Sequence, residues 1–154
     1  MQIKDVMTRD VRIAQPDQSI RQAAQTMLDL DVGVLPVGEN DRLVGMITDR
    51  DIAVRGVAKG CGPDAKVREV MSTQVMYCYE DEAVDHIARN MAEIQVRRLP
   101  VLNRDKRLVG IVSVGDMSLY VKPDETGQAL RGISRPGGQH DQSEQATHAP
   151  AGAA

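Results

Sequence analysis

Two short segments of the sequence, GMITDRD at 45–51 and GIVSVGD at 110–116, place polar side chains at the same spacing. In each, a hydroxyl residue follows a glycine and two apolar residues, and an aspartate comes three residues later. A hydroxyl residue where a helix begins lies among unpaired N–H groups, which favour an anion. An aspartate one turn further on can accept hydrogen bonds from two neighbouring hydroxyls, such as a ribose 2′ and 3′ pair. The spacing therefore indicates two candidate sites for a sugar phosphate, with the residues Thr48 and Asp51 in one and Ser113 and Asp116 in the other.

The same residues also have a purely structural interpretation. A Thr or Ser at a helix start is often only an N-cap, and an Asp in the first turn often only complements the helix dipole. A duplicated structure duplicates its caps, so finding the pattern twice leaves both interpretations open.

Both segments belong to an internal repeat, which is the strongest signal in the chain. KDVMTRDVRIAQPD at 4–17 recurs as REVMSTQVMYCYED at 68–81, and RLVG at 42–45 recurs as RLVG at 107–110. A single copy of about 50–60 residues would hide only about 60% of its unfolded surface. We therefore predict that the two copies share one body with pseudo-two-fold symmetry.

Hydrophobic periodicity predicts the order strand, helix, strand, strand, helix in each copy. In the first copy, alternation at 11–14 predicts a strand, and an apolar stripe at 20–28 predicts a helix. Residues 34–48 predict two strands joined by a hairpin turn at 38–41, and a second helix is predicted at 49–57. The fold class is therefore α/β (α+β), with two tandem β-α-β-β-α repeats.

The chain divides into five parts. We predict the first repeat at 1–60, a linker containing glycine and proline at 61–67, and the second repeat at 68–121. A short C-terminal helix is predicted at 122–133. Residues 134–154 contain few apolar side chains and are expected to be disordered.

Composition narrows the function of the 154-residue chain. It has no run of about 18 apolar residues and no apolar signal core, so neither a membrane span nor export is expected. A net charge of −3 and only three aromatic residues, all Tyr, argue against nucleic-acid binding. Cys61 and Cys78 indicate free thiols in a reducing cytoplasm. No nucleophile with a base and an orienting residue is apparent, and no metal-ligand spacing, so we expect neither an enzyme nor a metal site.

The repeated motifs resemble a tandem pair of cystathionine-β-synthase (CBS) domains, the arrangement called a Bateman module. The resemblance covers roughly residues 3–121. It implies that the adenosine part of a nucleotide lies in the cleft between the copies. There the motif residues would contact phosphate and ribose, and the strands around the first helix would enclose the base. The segments that carry the resemblance are VMT (6–8), VMS (70–72), VGVLPV (32–37), VRRLPV (96–101), RLVGMITDRD (42–51) and RLVGIVSVGD (107–116).

The resemblance also implies that the two sites are unequal. Arg97 stands where the first copy has Gly33, and a guanidinium there resembles a phosphate ligand of the family, suited to bidentate contact. The alternative is that Arg97 and Arg98 form a solvated edge, and Arg50 could serve the first copy instead. The tighter site is predicted around Arg97, Ser113 and Asp116. The candidates for the base pocket, which could instead pack in the core, are Val11, Ile13, Val75 and Tyr77.

By this resemblance the chain is expected to be a stand-alone regulatory module that senses AMP, ADP or ATP. It would act as a homodimer packed through its helices, on an effector protein that the sequence does not identify. NAD, S-adenosylmethionine or a metal are other ligands of the family. The alternative is a structural or stress-response dimer whose clefts are empty.

Overall fold

The computed structural model describes residues 1–136. Each repeat combines two helical segments with a hairpin, as the periodicity predicts. The helices and strands, in chain order, are a 3-10 helix Ile3–Asp5, α1 Ile20–Leu30, β1 Val34–Glu39, β2 Arg42–Thr48, a π-helix Asp51–Gly56, a 3-10 helix Val57–Lys59, α2 Val67–Val70, β3 Cys78–Tyr79, α3 Val84–Ile94, β4 Arg98–Leu102, β5 Leu108–Ser113, α4 Val114–Ser118 and α5 Pro123–Ile133.

Local signals place α1. The Gln22 amide donates to Ser19 Oγ at 3.1 Å, and the Ser19 amide donates to Gln22 Oε1 at 2.9 Å, so the helix begins with a reciprocal capping box. Its buried stripe is Ile20, Ala23 and Met27. This confirms the first helix of the predicted order.

The hairpin of the first repeat also follows from its sequence. Asn40 and Asp41 both have positive φ, 52° and 61°, as a two-residue type I′ turn requires. Strands β1 and β2 pair antiparallel from Val34 opposite Thr48 to Glu39 opposite Arg42. The second repeat has a longer turn, since Leu102 ends β4 and Leu108 begins β5.

Two predicted elements differ from the structure. Residues 11–14 form no strand, only a parallel bridge from Ala14 to Val37, because residues 9–13 run from one repeat to the other. The predicted helix at 49–57 is present, but Asp51–Gly56 is wound as a π-helix and Val57–Lys59 as a 3-10 helix. Neither difference changes the fold class.

Each repeat inserts its leading segment into the other repeat. Ile3, at 0% exposure, packs in the core of the second repeat. Val67, also at 0%, packs in the core of the first. The backbone bridges from Thr8 to Ile111 and from Ser72 to Met46 are counterparts in the two repeats. This exchange is the structural form of the predicted pseudo-two-fold symmetry.

Helix α5 packs on α3 and α4, both of which belong to the second repeat. Gly132 lies so close to Ala92 that a Cβ on the glycine would be 2.7 Å from the alanine Cβ. The expectation of disorder at 134–154 falls, from residue 137 onward, outside the described residues. Within residues 1–136, no helix combines the length and the apolar character needed to cross a membrane.

Candidate functional site

Both motifs form reciprocal capping boxes where β2 and β5 end. The Thr48 amide donates to Asp51 Oδ2 at 2.9 Å, and the Asp51 amide donates to Thr48 Oγ1 at 3.0 Å. The Ser113 amide donates to Asp116 Oδ2 at 2.9 Å, and the Asp116 amide donates to Ser113 Oγ at 3.0 Å. These four side chains therefore cap the helical segments that follow the strands. Each aspartate uses only Oδ2 in its capping box, so its Oδ1 is available to another partner.

The second carboxylate oxygens have different neighbours in the two repeats. Asp51 Oδ1 lies 3.9 Å from Arg55 Nη1, at the outer limit of an ion pair. Asp116 Oδ1 accepts no hydrogen bond from any residue in the described part of the chain. Asp116 is half-buried. This oxygen is therefore the better placed of the two to accept a ligand hydroxyl.

The motif glycines make room for the exchanged segments. A Cβ on Gly110 would lie 2.6 Å from the Thr8 carbonyl oxygen and 2.7 Å from Met7 Sδ. A Cβ on Gly45 would lie 2.8 Å from both Met71 Sδ and the carbonyl oxygen of the following serine. The two motif glycines therefore allow the segment exchanged from the other repeat to pass close to the strand.

Arg97 lies beside the second junction. Its carbonyl accepts from the Val114 amide at 3.0 Å, and the next residue, Arg98, pairs with Ser113. The Arg97 side chain is exposed and forms no ion pair with another residue between 1 and 136. The structure therefore brings Arg97, Ser113 and Asp116 together at one strand-to-helix junction.

The first junction carries an acidic residue that the sequence interpretation missed. Asp49 donates its amide to the Gly33 carbonyl at 2.9 Å, and its Oδ2 lies 2.9 Å from where a Gly33 Cβ would be. Where the second junction has the Arg97 guanidinium, the first therefore has the Asp49 carboxylate, in addition to the aspartate that both motifs share. Like charges repel, so this junction suits a phosphate less well. The available signal was the contrast between TDRD and SVGD.

The four base-pocket candidates lie outside both hydrophobic cores. Ile13 is 40% exposed and Tyr77 is 42% exposed, so core packing does not account for them. Val11 and Ile13 line a cavity of about 280 Å³ between the repeats. Val75 and Tyr77 line a cavity of about 330 Å³ beside α3. Neither lining includes Arg97 or the motif residues Thr48, Asp51, Ser113 and Asp116.

The ring of Tyr77 already has a partner. It meets Tyr79 edge-on, with centroids 5.7 Å apart and planes at 86°. The Arg104 guanidinium lies over Tyr79, 4.1 Å from its centroid.

Within residues 1–136, no cluster of three or more His, Cys, Asp or Glu side chains is suited to hold a metal ion.

A family model of the CBS domain matches the chain twice, at residues 3–56 and 67–123. The chain belongs to the CBS-domain family. This CBS-domain pair is 41% identical over 133 residues to the CBS domain-containing protein YhcV of Bacillus subtilis. The matched region covers 86% of this chain and 94% of YhcV. The resemblance inferred from the repeated motifs is thereby confirmed.

Solved structures show the same fold. Hypoxic Response Protein I, crystallised with two coordinated zinc ions, is 35% identical, with a TM-score of 0.71 over 79% of this chain and 100% of that chain. The CBS domain pair of protein MJ0100, crystallised with 5′-methylthioadenosine and S-adenosyl-L-methionine, is 32% identical, with a TM-score of 0.69. The matched region covers 77% of this CBS-domain pair and 94% of that chain.

Proposed function

We propose that this CBS-domain pair is a regulatory module that binds an adenine nucleotide, AMP, ADP or ATP, at the junction of Arg97, Ser113 and Asp116. The observation that carries the proposal is that one strand-to-helix junction holds both the exposed Arg97, which forms no ion pair within residues 1–136, and the half-buried Asp116, whose Oδ1 accepts no hydrogen bond from those residues. Support comes from MJ0100, whose two crystallised ligands both contain adenosine. Repeats at 1–60 and 68–121, joined by the linker 61–67, would act as one unit.

Each residue at the junction has a separate role in this proposal. Asp116 Oδ1 accepts hydrogen bonds from the ribose hydroxyls, and Arg97 donates to the phosphate. Val75 and Tyr77 are the proposed walls for the base at this junction, and their first-repeat counterparts Val11 and Ile13 are the proposed walls for the Thr48–Asp51 junction. The Thr48–Asp51 junction is a weaker second site because Asp49 adds a negative charge where the phosphate would lie.

Titration calorimetry with two ligands tests these roles. AMP carries a phosphate, whereas 5′-methylthioadenosine offers the same ribose hydroxyls without one. Asp116→Asn keeps an oxygen for the Ser113 amide but removes the charge, so we expect it to weaken both ligands. Arg97→Ala should weaken AMP alone. Each loss should be about 10- to 100-fold, the size of a charge-assisted hydrogen bond of about 1.5–3 kcal/mol.

The matched control is Arg89→Ala, which removes the same charge from an exposed ion pair on α3. This variant should bind both ligands as the native chain does. Equal losses of AMP and 5′-methylthioadenosine in Arg97→Ala would contradict the phosphate role.

Thermal unfolding separates this function from the empty-cleft alternative. A ligand at about 100 times its dissociation constant should stabilise the native state by about 2.7 kcal/mol. The absence of any shift with AMP, ADP and ATP would favour a structural dimer without a ligand.

We further propose that the chain is a cytoplasmic homodimer that signals to an effector protein. The free thiols of Cys61 and Cys78 suit a reducing compartment. Leu28 on α1 is 73% exposed, whereas its counterpart in the second repeat, Ala92, lies under α5. A second copy packed on the first-repeat helices would cover Leu28.

A further inference from the structure

The cavity between the repeats lies away from the motif junctions. It has a volume of about 280 Å³ and opens where the hairpin turns meet, at the opposite ends of β2 and β5 from Thr48 and Ser113. Its lining takes residues from both repeats, including Ile13 and Arg42 from the first and Arg107 and Leu108 from the second. Nothing in the proposed nucleotide site uses its charged groups.

The charged lining of this cavity is mostly basic. Arg42 and Arg107 each begin an RLVG segment, so they are counterparts in the two repeats, and the pseudo-two-fold symmetry brings both to one cavity. Arg9 is a third guanidinium in the lining, and Asp41 is the single carboxylate. This local excess of positive charge stands on a chain whose net charge is −3.

These arginines have few partners of their own. Arg107 Nη1 lies 2.8 Å from Asp41 Oδ2, an exposed pair that joins the two repeats. Arg9 Nη2 donates to the Lys4 carbonyl at 2.8 Å. Arg42 is in no ion pair with the residues that the structure describes. Guanidinium groups with spare donors are suited to bidentate contact with phosphate oxygens.

The rest of the lining is apolar. Ile13 is 40% exposed, which is high for a large aliphatic side chain. It faces the cavity because Gly38 leaves it room: a Cβ on that glycine would lie 3.2 Å from Ile13 Cδ1. Leu108, from the second repeat, is half-buried in the same lining. A ligand here would meet aliphatic groups as well as guanidinium groups.

We infer that this cavity binds a small organic phosphate, with its phosphate group held by Arg42 and Arg107 and its apolar part lying on Ile13 and Leu108. Ligand pockets typically measure about 300–1,000 Å³, so the size suits a molecule no larger than a mononucleotide. The bound phosphate competes with Asp41 for Arg107 and so loosens an ion pair between the repeats. The cavity shares Val11 and Ile13 with the proposed base walls, but it shares no polar residue with the junction site.

Phenyl phosphate titrated into the full chain, followed by amide NMR shifts, tests the inference. We expect saturable shifts at Ile13, Gly38 and Leu108, and weaker binding of inorganic phosphate, which cannot use the apolar lining. The double variant Arg42→Ala/Arg107→Ala should bind phenyl phosphate about 10- to 100-fold more weakly. Arg42→Ala alone, which breaks no ion pair, should show part of that loss and decides the matter if the double variant fails to fold.

The matched control is Arg104→Ala, which removes the same charge from the same turn as Arg107. Arg104 pairs with Asp81 and does not line the cavity, so this variant should bind as the native chain does. Unchanged affinity in Arg42→Ala, or shifts confined to other residues, would overturn the inference. Failure of the nucleotide site would appear separately, as absent shifts at Ser113 and Asp116 when AMP is added.

Discussion

Gly110 lies where the exchanged segment passes closest to β5. A side chain there would meet the Thr8 carbonyl oxygen at 2.6 Å, and a backbone atom cannot rotate away as a side-chain end can. We therefore predict that Gly110→Ala lowers the free energy of unfolding by about 1–3 kcal/mol, the usual effect of overpacking. Denaturant unfolding of the full chain measures this change.

The control is a glycine in the same motif with open space around it. A Cβ on Gly115 would meet nothing closer than Ser113 Oγ at 3.5 Å, and the residue lies in α4. Alanine is favoured over glycine in a helix by up to about 1 kcal/mol, so Gly115→Ala should be neutral or stabilising. If both variants destabilise equally, the contact with the exchanged segment is not the reason for Gly110.

The two cysteines should differ sharply in reactivity. Burial, aided by the negative charge of Glu82, raises the pKa of the Cys78 thiol to about 12. Because only the thiolate reacts, Cys78 should resist iodoacetamide at about pH 8, near the usual thiol pKa of about 8.5. The half-buried Cys61 should be alkylated first.

Mass spectrometry of the alkylated chain locates the label. In a Cys61→Ser variant, the native protein should take up almost no label, and denaturant should restore the reaction. Rapid labelling of native Cys78 would contradict the expected protonated, buried thiol.

At the scale of elements, the N-terminal 3-10 helix Ile3–Asp5 contributes its buried side chain to the core of the second repeat and should stabilise that repeat. Ile3 is fully buried there, although it is far from that repeat in sequence. Ile3→Ala should cost about 2–5 kcal/mol, as large-to-small core substitutions do. Hydrogen exchange should show weaker protection in α3 and β4, not only near residue 3. Lys4→Ala, at the exposed neighbour, should change little.

An effect of Ile3→Ala confined to the first repeat would contradict the exchange of segments. Val67 leads into the second repeat but is fully buried in the first-repeat core, so its truncation should weaken protection in the first repeat. Together the two segments make each repeat depend on the other for its core.

The sequence allowed the elements with local signals to be predicted. The Ser19–Gln22 capping box and the Asn40–Asp41 turn are set by residues near in sequence, and both are present. The strand predicted at 11–14 was wrong. The chain here crosses from the bridge between Thr8 and Ile111 in the second repeat to the bridge between Ala14 and Val37 in the first, and periodicity does not encode such long-range contacts. The π-helical winding of Asp51–Gly56 had no signal in the spacing of apolar residues.

The candidate site was predictable to a similar extent. Motif spacing located the two junctions, and their capping hydrogen bonds follow from residue types alone. The acidic Asp49 beside Gly33 required the pairing of strands β1 and β2. The cavity that holds Arg42 with Arg107 required the packing of the two repeats, so no local pattern indicated it.

For the whole molecule, the pseudo-two-fold symmetry is broken on the helical side. Helix α5 covers α3, and Gln95 Nε2 fastens its end by donating to the Gly132 carbonyl at 3.1 Å. No such helix covers α1 within residues 1–136. The larger side chain of Leu28, where the second repeat has Ala92, would also prevent the close approach that Gly132 makes. The first-repeat face therefore suits a different occupant, and we assign it to a second copy of the chain.

This assignment predicts that Leu28→Glu converts a dimer into a monomer. Leu28 is 73% exposed in the single chain, so the substitution should leave the fold intact while placing two carboxylates and their hydration at the interface. Light scattering after size-exclusion chromatography measures the mass, and circular dichroism checks the fold. Gln22→Glu adds the same charge to an exposed position about 120° around α1 from Leu28, keeps an acceptor for the Ser19 amide, and should remain dimeric. A native chain that is monomeric would contradict the dimer itself. A Leu28→Glu variant that keeps the mass of a dimer would show that the interface does not include this face of α1, because two buried carboxylates there would disrupt it.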